Sequence, residues 1–105
     1  MAQPIMLKDL ITACLRNDID SDFKLINALH ADVLEVHRRC RARGEQIKQL
    51  QTVTGSSLAT RFLALLNNIQ DNELEKNRAL MRHVSETQIK ALEKMSFLAR
   101  MRKTY

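Results

Sequence analysis

Apolar residues recur along most of this chain at intervals of three, four or seven. Phe23, Ile26, Leu29, Val33, Val36, Cys40, Ile47 and Leu50 form one such series, and Leu58, Phe62, Leu65, Ile69, Leu80, Val84, Ala91, Met95 and Leu98 form another. That is the period of a helix with one buried face. A shorter series of Leu7, Leu10, Ile11 and Cys14 comes first, and Asn17-Asp18-Ile19-Asp20-Ser21-Asp22 follows it. Such side chains compete with the backbone for hydrogen bonds and favour caps over helix interiors. The pattern therefore predicts a first helix over 6–16 and a second over 22–52. Val53-Thr54-Gly55-Ser56-Ser57 is the strongest turn signal: Gly55 suits a left-handed helix end, and Ser56 or Ser57 can cap a third helix over 57–102. Gly44 lies within the second series and reads as an interior glycine, costing about 1 kcal/mol relative to alanine. The expected fold is one all-α domain over residues 1–105, an antiparallel helical hairpin or three-helix bundle with long coiled-coil-like helices.

These lengths carry a functional expectation. At 1.5 Å per residue the second helix is about 45 Å long and the third about 69 Å, so folding back at Gly55 leaves roughly 24 Å of the third without a partner from the second. A first helix of about 15 Å cannot cover that overhang and also complete a bundle. Leu92, Met95, Phe97, Leu98 and Met101 make the overhang apolar. Apolar surface of this kind is buried against another chain or serves as a binding patch, so a homodimer is expected when no client is bound.

Composition sharpens the class. The chain has 105 residues, with two Gly, one Pro, no Trp, 45% hydrophobic and 28% charged residues. Few turn formers mean long helices, and this much apolar material excludes a disordered chain. No apolar run approaches membrane-spanning length. The start of the chain lacks the pattern of a signal peptide, and two cysteines, Cys14 and Cys40, fit free thiols in a reducing compartment, so a cytoplasmic protein is expected. The net charge of +5 is concentrated: residues 36–48 hold five basic groups against one acidic, and residues 90–105 do the same.

Candidate chemistry is sparse. His30, His37 and Cys40 share one helical face but lack a fourth zinc ligand, so no metal is expected. Asp18, Asp20 and Asp22 resemble the start of a calcium loop without its glycine or its final glutamate, as Leu29 stands where the glutamate belongs. There is no phosphate loop, nucleophile elbow or zinc-protease motif, so neither a cofactor nor enzymatic activity is expected. Arg38, Arg39, Arg41, Arg43 and Lys48 raise the alternative of a small basic nucleic-acid-binding protein. No aromatic residue lies between Phe23 and Phe62 to stack on a base, and the arginines spread over more than one face. A self-assembling structural coiled-coil subunit is the other alternative. Asn72 and Asn77 sit in or beside the apolar stripe of the third helix, where buried asparagine fixes coiled-coil register. Met81, Met95 and Met101 suit a surface that accepts several helical ligands.

Leu65-Leu66, Asn77-Arg78-Ala79-Leu80-Met81, Gln88, Ala91-Leu92 and Met95 together resemble the C-terminal helix of FlgN-like flagellar export chaperones. The likeness extends more loosely over Asp22-Phe23, Ile26 and Leu29, and to the ending Arg102-Lys103-Thr104-Tyr105. The chain departs from the family's pattern in a shorter first helix, at Val33, where the family has lysine, and at Leu74, where it has asparagine. The resemblance implies a cytoplasmic, non-enzymatic chaperone that binds C-terminal segments of hook-filament junction proteins and delivers them to the type III export gate. It implies a client-binding surface of Asn77, Leu80, Met81, Val84, Gln88, Leu92, Met95 and Leu98, and an export-gate contact at Tyr105. Binding would be helix-in-groove, an amphipathic client segment folding onto that surface.

Overall fold

The computed structural model of the chain describes residues 4–104. They form two α-helices, α1 over Pro4–Gln51 and α2 over Ser57–Thr104, with no strand among the described residues. Tyr105 lies outside the described residues. Pro4 opens α1, where its missing N–H costs nothing because the first helical N–H groups have no intrahelical acceptor.

Between the helices, Thr52 N donates to Gln49 O at 3.2 Å and Val53 N to Leu50 O at 3.1 Å, tightening the last turn of α1. Gly55 takes a φ of 76°. In that left-handed region an L side chain would crowd its own carbonyl, so glycine is the residue that makes the turn. Ser56 Oγ then accepts from Ala59 N at 3.2 Å, capping α2.

The expected first and second helices are one. Asn17, Asp18, Asp20 and Ser21 are all exposed and unburdened by packing, so each costs the helix only a fraction of a kcal/mol in propensity. The three-four spacing meanwhile runs on through Leu15, Ile19, Asp22 and Ile26. Burying Ile19 against α2 outweighs the capping tendency of its neighbours, and no three-helix bundle forms among the described residues.

The chain divides into two compact units, one of Met1–Leu29 with His83–Tyr105 and the other of His30–Arg82. In the first unit Ile19, Leu98 and Met101 form a buried cluster, with Ile11 and Leu15 packed against it. Ile26, Leu29, Ala91 and Thr87 are also buried there. Thr87 Oγ1 donates to His83 O at 2.8 Å, which lets a hydroxyl sit in this seam. In the second unit the buried seam holds Val36, Cys40 and Leu66, with Val33, Ile47, Leu50, Leu63 and Leu80 half-buried.

The buried seam of each helix repeats every seven residues, with Ile11, Gly44 and Ile69 half-buried beside it. In α1 the seam positions are Ile19, Ile26, Val33, Cys40 and Ile47, alternating with Leu15, Asp22, Leu29, Val36, Arg43 and Leu50. In α2 they are Leu63, Gln70, Asn77, Val84, Ala91 and Leu98, alternating with Leu66, Glu73, Leu80, Thr87, Lys94 and Met101. This is the narrow two-per-heptad stripe of a coiled coil. It corrects the stripe expected at the start of α2: Leu58, Phe62 and Leu65 are 78%, 47% and 52% exposed, and Leu63 and Leu66 take the seam instead. The true seam passes through Gln70, Glu73 and Asn77, so counting apolar residues alone places it one position off.

Candidate partner-binding site

The anticipated overhang is filled. Because α1 begins at Pro4 and not near Asp22, its first half lies against the second half of α2, and Leu98 and Met101 are buried with Ile19. The residues expected to bind a client accordingly fall into two groups. Val84 and Leu98 are buried in the seam, and Leu80 and Asn77 are half-buried there. Met81, Gln88, Leu92 and Met95 are exposed, Leu92 at 60% and Met95 at 44%.

The exposed group has its own order. Met81, Gln88 and Met95 follow one another at seven-residue spacing, each next to a seam position, and Leu92 adjoins them one turn before Met95. They occupy one flank of α2, facing out beside the seam. In the first unit Phe23 directly follows the seam residue Asp22 as Met95 follows Lys94, the seam residue it pairs with, so the two stand on the same flank of the helix pair. Phe23 is 47% exposed. Its helical spacing before Ile26 predicts a core position, and the seven-residue repeat of the buried positions is the signal that separates the two. Phe23, Leu92 and Met95, with the amide of Gln88, thus form an apolar flank along which another helix could lie.

The seam itself carries polar pairs among its apolar residues. Lys94 Nζ lies 2.8 Å from Asp22 Oδ2, and that hydrogen bond holds the ammonium above the ordinary lysine range, with Asp18 adding to the effect. In the second unit Arg43 donates to Gln70 Oε1 at 3.0 Å and to Glu73 Oε1 at 3.2 Å, while Gln70 Nε2 donates to Cys40 O at 2.8 Å. Arg39 Nε reaches Glu73 Oε2 at 3.5 Å. The Arg43 hydrogen bond, ahead of the field of both arginines, holds the Glu73 carboxyl below the usual carboxylate range. Cys40 Sγ is 3.9 Å from Glu73 Oε2. Asn77 Oδ1 is buried without a hydrogen-bond partner among the described residues. Buried polar groups of this kind cost stability but penalise wrong registers, since a slip would strand each of them.

This network dissolves the expected basic patch as a single surface. Arg43 is in the seam, Arg39 is shared between Glu35 and Glu73, Arg38 pairs with Glu35 at 2.6 Å and Lys48 with Glu45 at 3.7 Å. The Arg38 hydrogen bond lowers the Glu35 pKa and raises that of Arg38. His30 and His37 are exposed while Cys40 is buried, so the three do not converge, and no group of three metal-ligating side chains occurs among the described residues. No helix among the described residues is long and apolar enough to cross a membrane. Comparison with protein-family models, curated proteins and solved structures finds no match to this chain.

Proposed function

We propose that this chain is a non-enzymatic, cytoplasmic helical adaptor that binds an amphipathic segment of another protein. The observation that carries the proposal is the exposed flank of Phe23, Leu92 and Met95, placed directly beside a completed seam. Three large apolar side chains that share one flank are the kind of grouping that marks an interaction surface. A client helix laid along it would supply the third helix of a bundle. Met95 and Gln88 suit such a surface, the thioether adapting to different side chains and the amide offering both donor and acceptor.

In its specific form, which rests on the resemblance to FlgN-like chaperones, the clients are C-terminal segments of hook-filament junction proteins and the destination is the type III export gate, with Tyr105 as its contact. Engagement of Arg39 and Arg43 by Glu73 favours this reading over nucleic-acid binding, which needs those charges free for phosphate.

Calorimetric titration with synthetic peptides spanning those C-terminal segments tests it. The unaltered chain should bind, and Met95→Asp and Leu92→Asp should each weaken binding at least tenfold while circular dichroism and melting stay unchanged, because a charge there is unpaired only in the complex. Absence of binding by the unaltered chain removes the flagellar assignment. Binding insensitive to both substitutions removes the flank.

A further inference from the structure

Leu58, Phe62, Leu65 and Ile69 stand at intervals of four, three and four along the first part of α2, within the unit His30–Arg82. That spacing puts all four on one face of the helix. It is not the face that packs on α1, since Leu63 and Leu66 hold the seam there. Leu58, Phe62 and Leu65 are 78%, 47% and 52% exposed, and Ile69 is half-buried. A continuous stripe of large apolar side chains in water marks a contact with another chain.

Charge and spacing both favour a second copy of this chain as the occupant. Between Lys48 and Asp71 the sole charged residue is Arg61, in a chain that is 28% charged and carries a net charge of +5. A foreign partner of either sign finds little to pair with on such a stripe, and two copies of a basic chain meet there with least repulsion. The order four, three, four also reads the same in both directions. Two stripes laid antiparallel therefore set Leu58 against Ile69 of the second copy and Phe62 against its Leu65, leaving no large side chain unopposed.

The antiparallel direction follows from charge as well. Arg43 bonds to Gln70 and Glu73 across the helix pair, and Cys40 Sγ lies 3.9 Å from Glu73 Oε2, so Arg38, Arg39, Arg41 and Arg43 lie beside α2 beyond the end of the stripe. In an antiparallel pair these arginines sit at opposite ends of the overlap, whereas a parallel pair would run them side by side.

We propose that this stripe is the self-association surface of the chain, two copies pairing antiparallel through Leu58, Phe62, Leu65 and Ile69, in place of the homodimer expected through residues 92–101. Even a fully exposed aromatic side chain offers no more than about 250 Å², so four side chains about half covered fall short of a standard interface, about 800 Å² per partner. The pair is therefore weak, forming at high protein concentration and dissociating in dilute solution. It is independent of the Phe23, Leu92 and Met95 flank.

Sedimentation equilibrium of the full chain from about 10 µM to about 1 mM tests the proposal. The unaltered chain should pass from monomer to dimer over this range. Phe62→Asp and Leu65→Lys should each weaken dimerisation at least tenfold, because each places a charge in an apolar contact, and Met95→Asp should leave it unchanged. All three positions are exposed in the monomer, so circular dichroism and melting in dilute solution should change little. An equimolar mixture of Phe62→Asp and Leu65→Lys chains should regain association, since the antiparallel pair sets the two substituted positions against each other. A chain that stays monomeric to about 1 mM overturns the proposal and leaves the stripe to another occupant. Dimerisation insensitive to both Phe62→Asp and Leu65→Lys, or lost on Met95→Asp, overturns it too. A mixture that associates no better than its parts overturns the antiparallel pairing.

Discussion

Lys94 Nζ donates a 2.8 Å hydrogen bond to Asp22 Oδ2, tying a residue that reads as a helix cap to one that reads as unpartnered overhang. The aspartate side chain is 16% exposed and the lysine 27%, so the pair is half withdrawn from water inside an otherwise apolar seam. Removing either partner alone strands the other, whereas an apolar pair can pack in the same space. Asp22→Leu and Lys94→Leu should each lower the melting temperature, and the double variant should recover at least part of the loss; a thermal double-mutant cycle reads the coupling directly. Because the bond raises the Lys94 pKa, its contribution is complete below the ordinary lysine value and fades as pH rises through the higher folded value.

Glu73 works in the opposite direction. Its folded pKa is lowered by Arg43, so its contribution is present above the ordinary carboxylate value and is lost as pH falls through the depressed one. Urea midpoints measured from pH 7 to about pH 2 should fall more for the unaltered chain than for Glu73→Gln, with the difference confined to the acid limb, below the ordinary glutamate value of about 4.3. Equal pH profiles would remove Glu73 from the seam's ion pairing.

The two glycines should respond oppositely to alanine. Gly44→Ala meets only an ordinary contact and should stabilise by about 1 kcal/mol, or about 4–8 °C in melting temperature. Gly55→Ala forces an L side chain to a φ of 76° and should destabilise by about 1–2 kcal/mol. Differential scanning calorimetry on the two variants checks both signs.

Seam and flank should separate under a charge scan. Leu98→Asp buries a carboxylate against Ile19 and Met101 and should abolish cooperative melting of that unit. Phe62→Asp and Met95→Asp, at positions 47% and 44% exposed, should change stability by no more than about 0.5 kcal/mol. Loss of cooperative melting in Met95→Asp would place that residue in the core.

The two thiols should differ in reactivity, Cys14 being exposed and Cys40 buried. A thiol reagent should titrate Cys14 promptly under native conditions and Cys40 only after denaturant is added. Prompt reaction of both would show that the Cys40 layer opens readily.

The helical class, the turn at Gly55 and the serine that caps α2 follow from local chemistry: a three-four apolar period, a residue free to take positive φ, and a hydroxyl able to accept an orphan N–H. Those determinants lie within a few residues of the features they produce, so the chain states them openly. The continuity of α1 through Asn17–Asp22 does not follow in this way. Locally those side chains favour a break, and only the burial of Ile19 by Leu98 and Met101, remote in sequence, reverses the preference. The same holds for the candidate surface. Leu92, Met95 and Leu98 stand close together on one helix and look alike in sequence, yet Leu98 is core while Leu92 and Met95 are flank. A helix has many apolar positions and one seam, and the seam goes where the partner helix can satisfy everything along it, including Asp22, Arg43, Gln70 and Glu73. Those polar residues find their acceptors and donors only across the pair, so tertiary pairing decides which apolar side chains are left facing out.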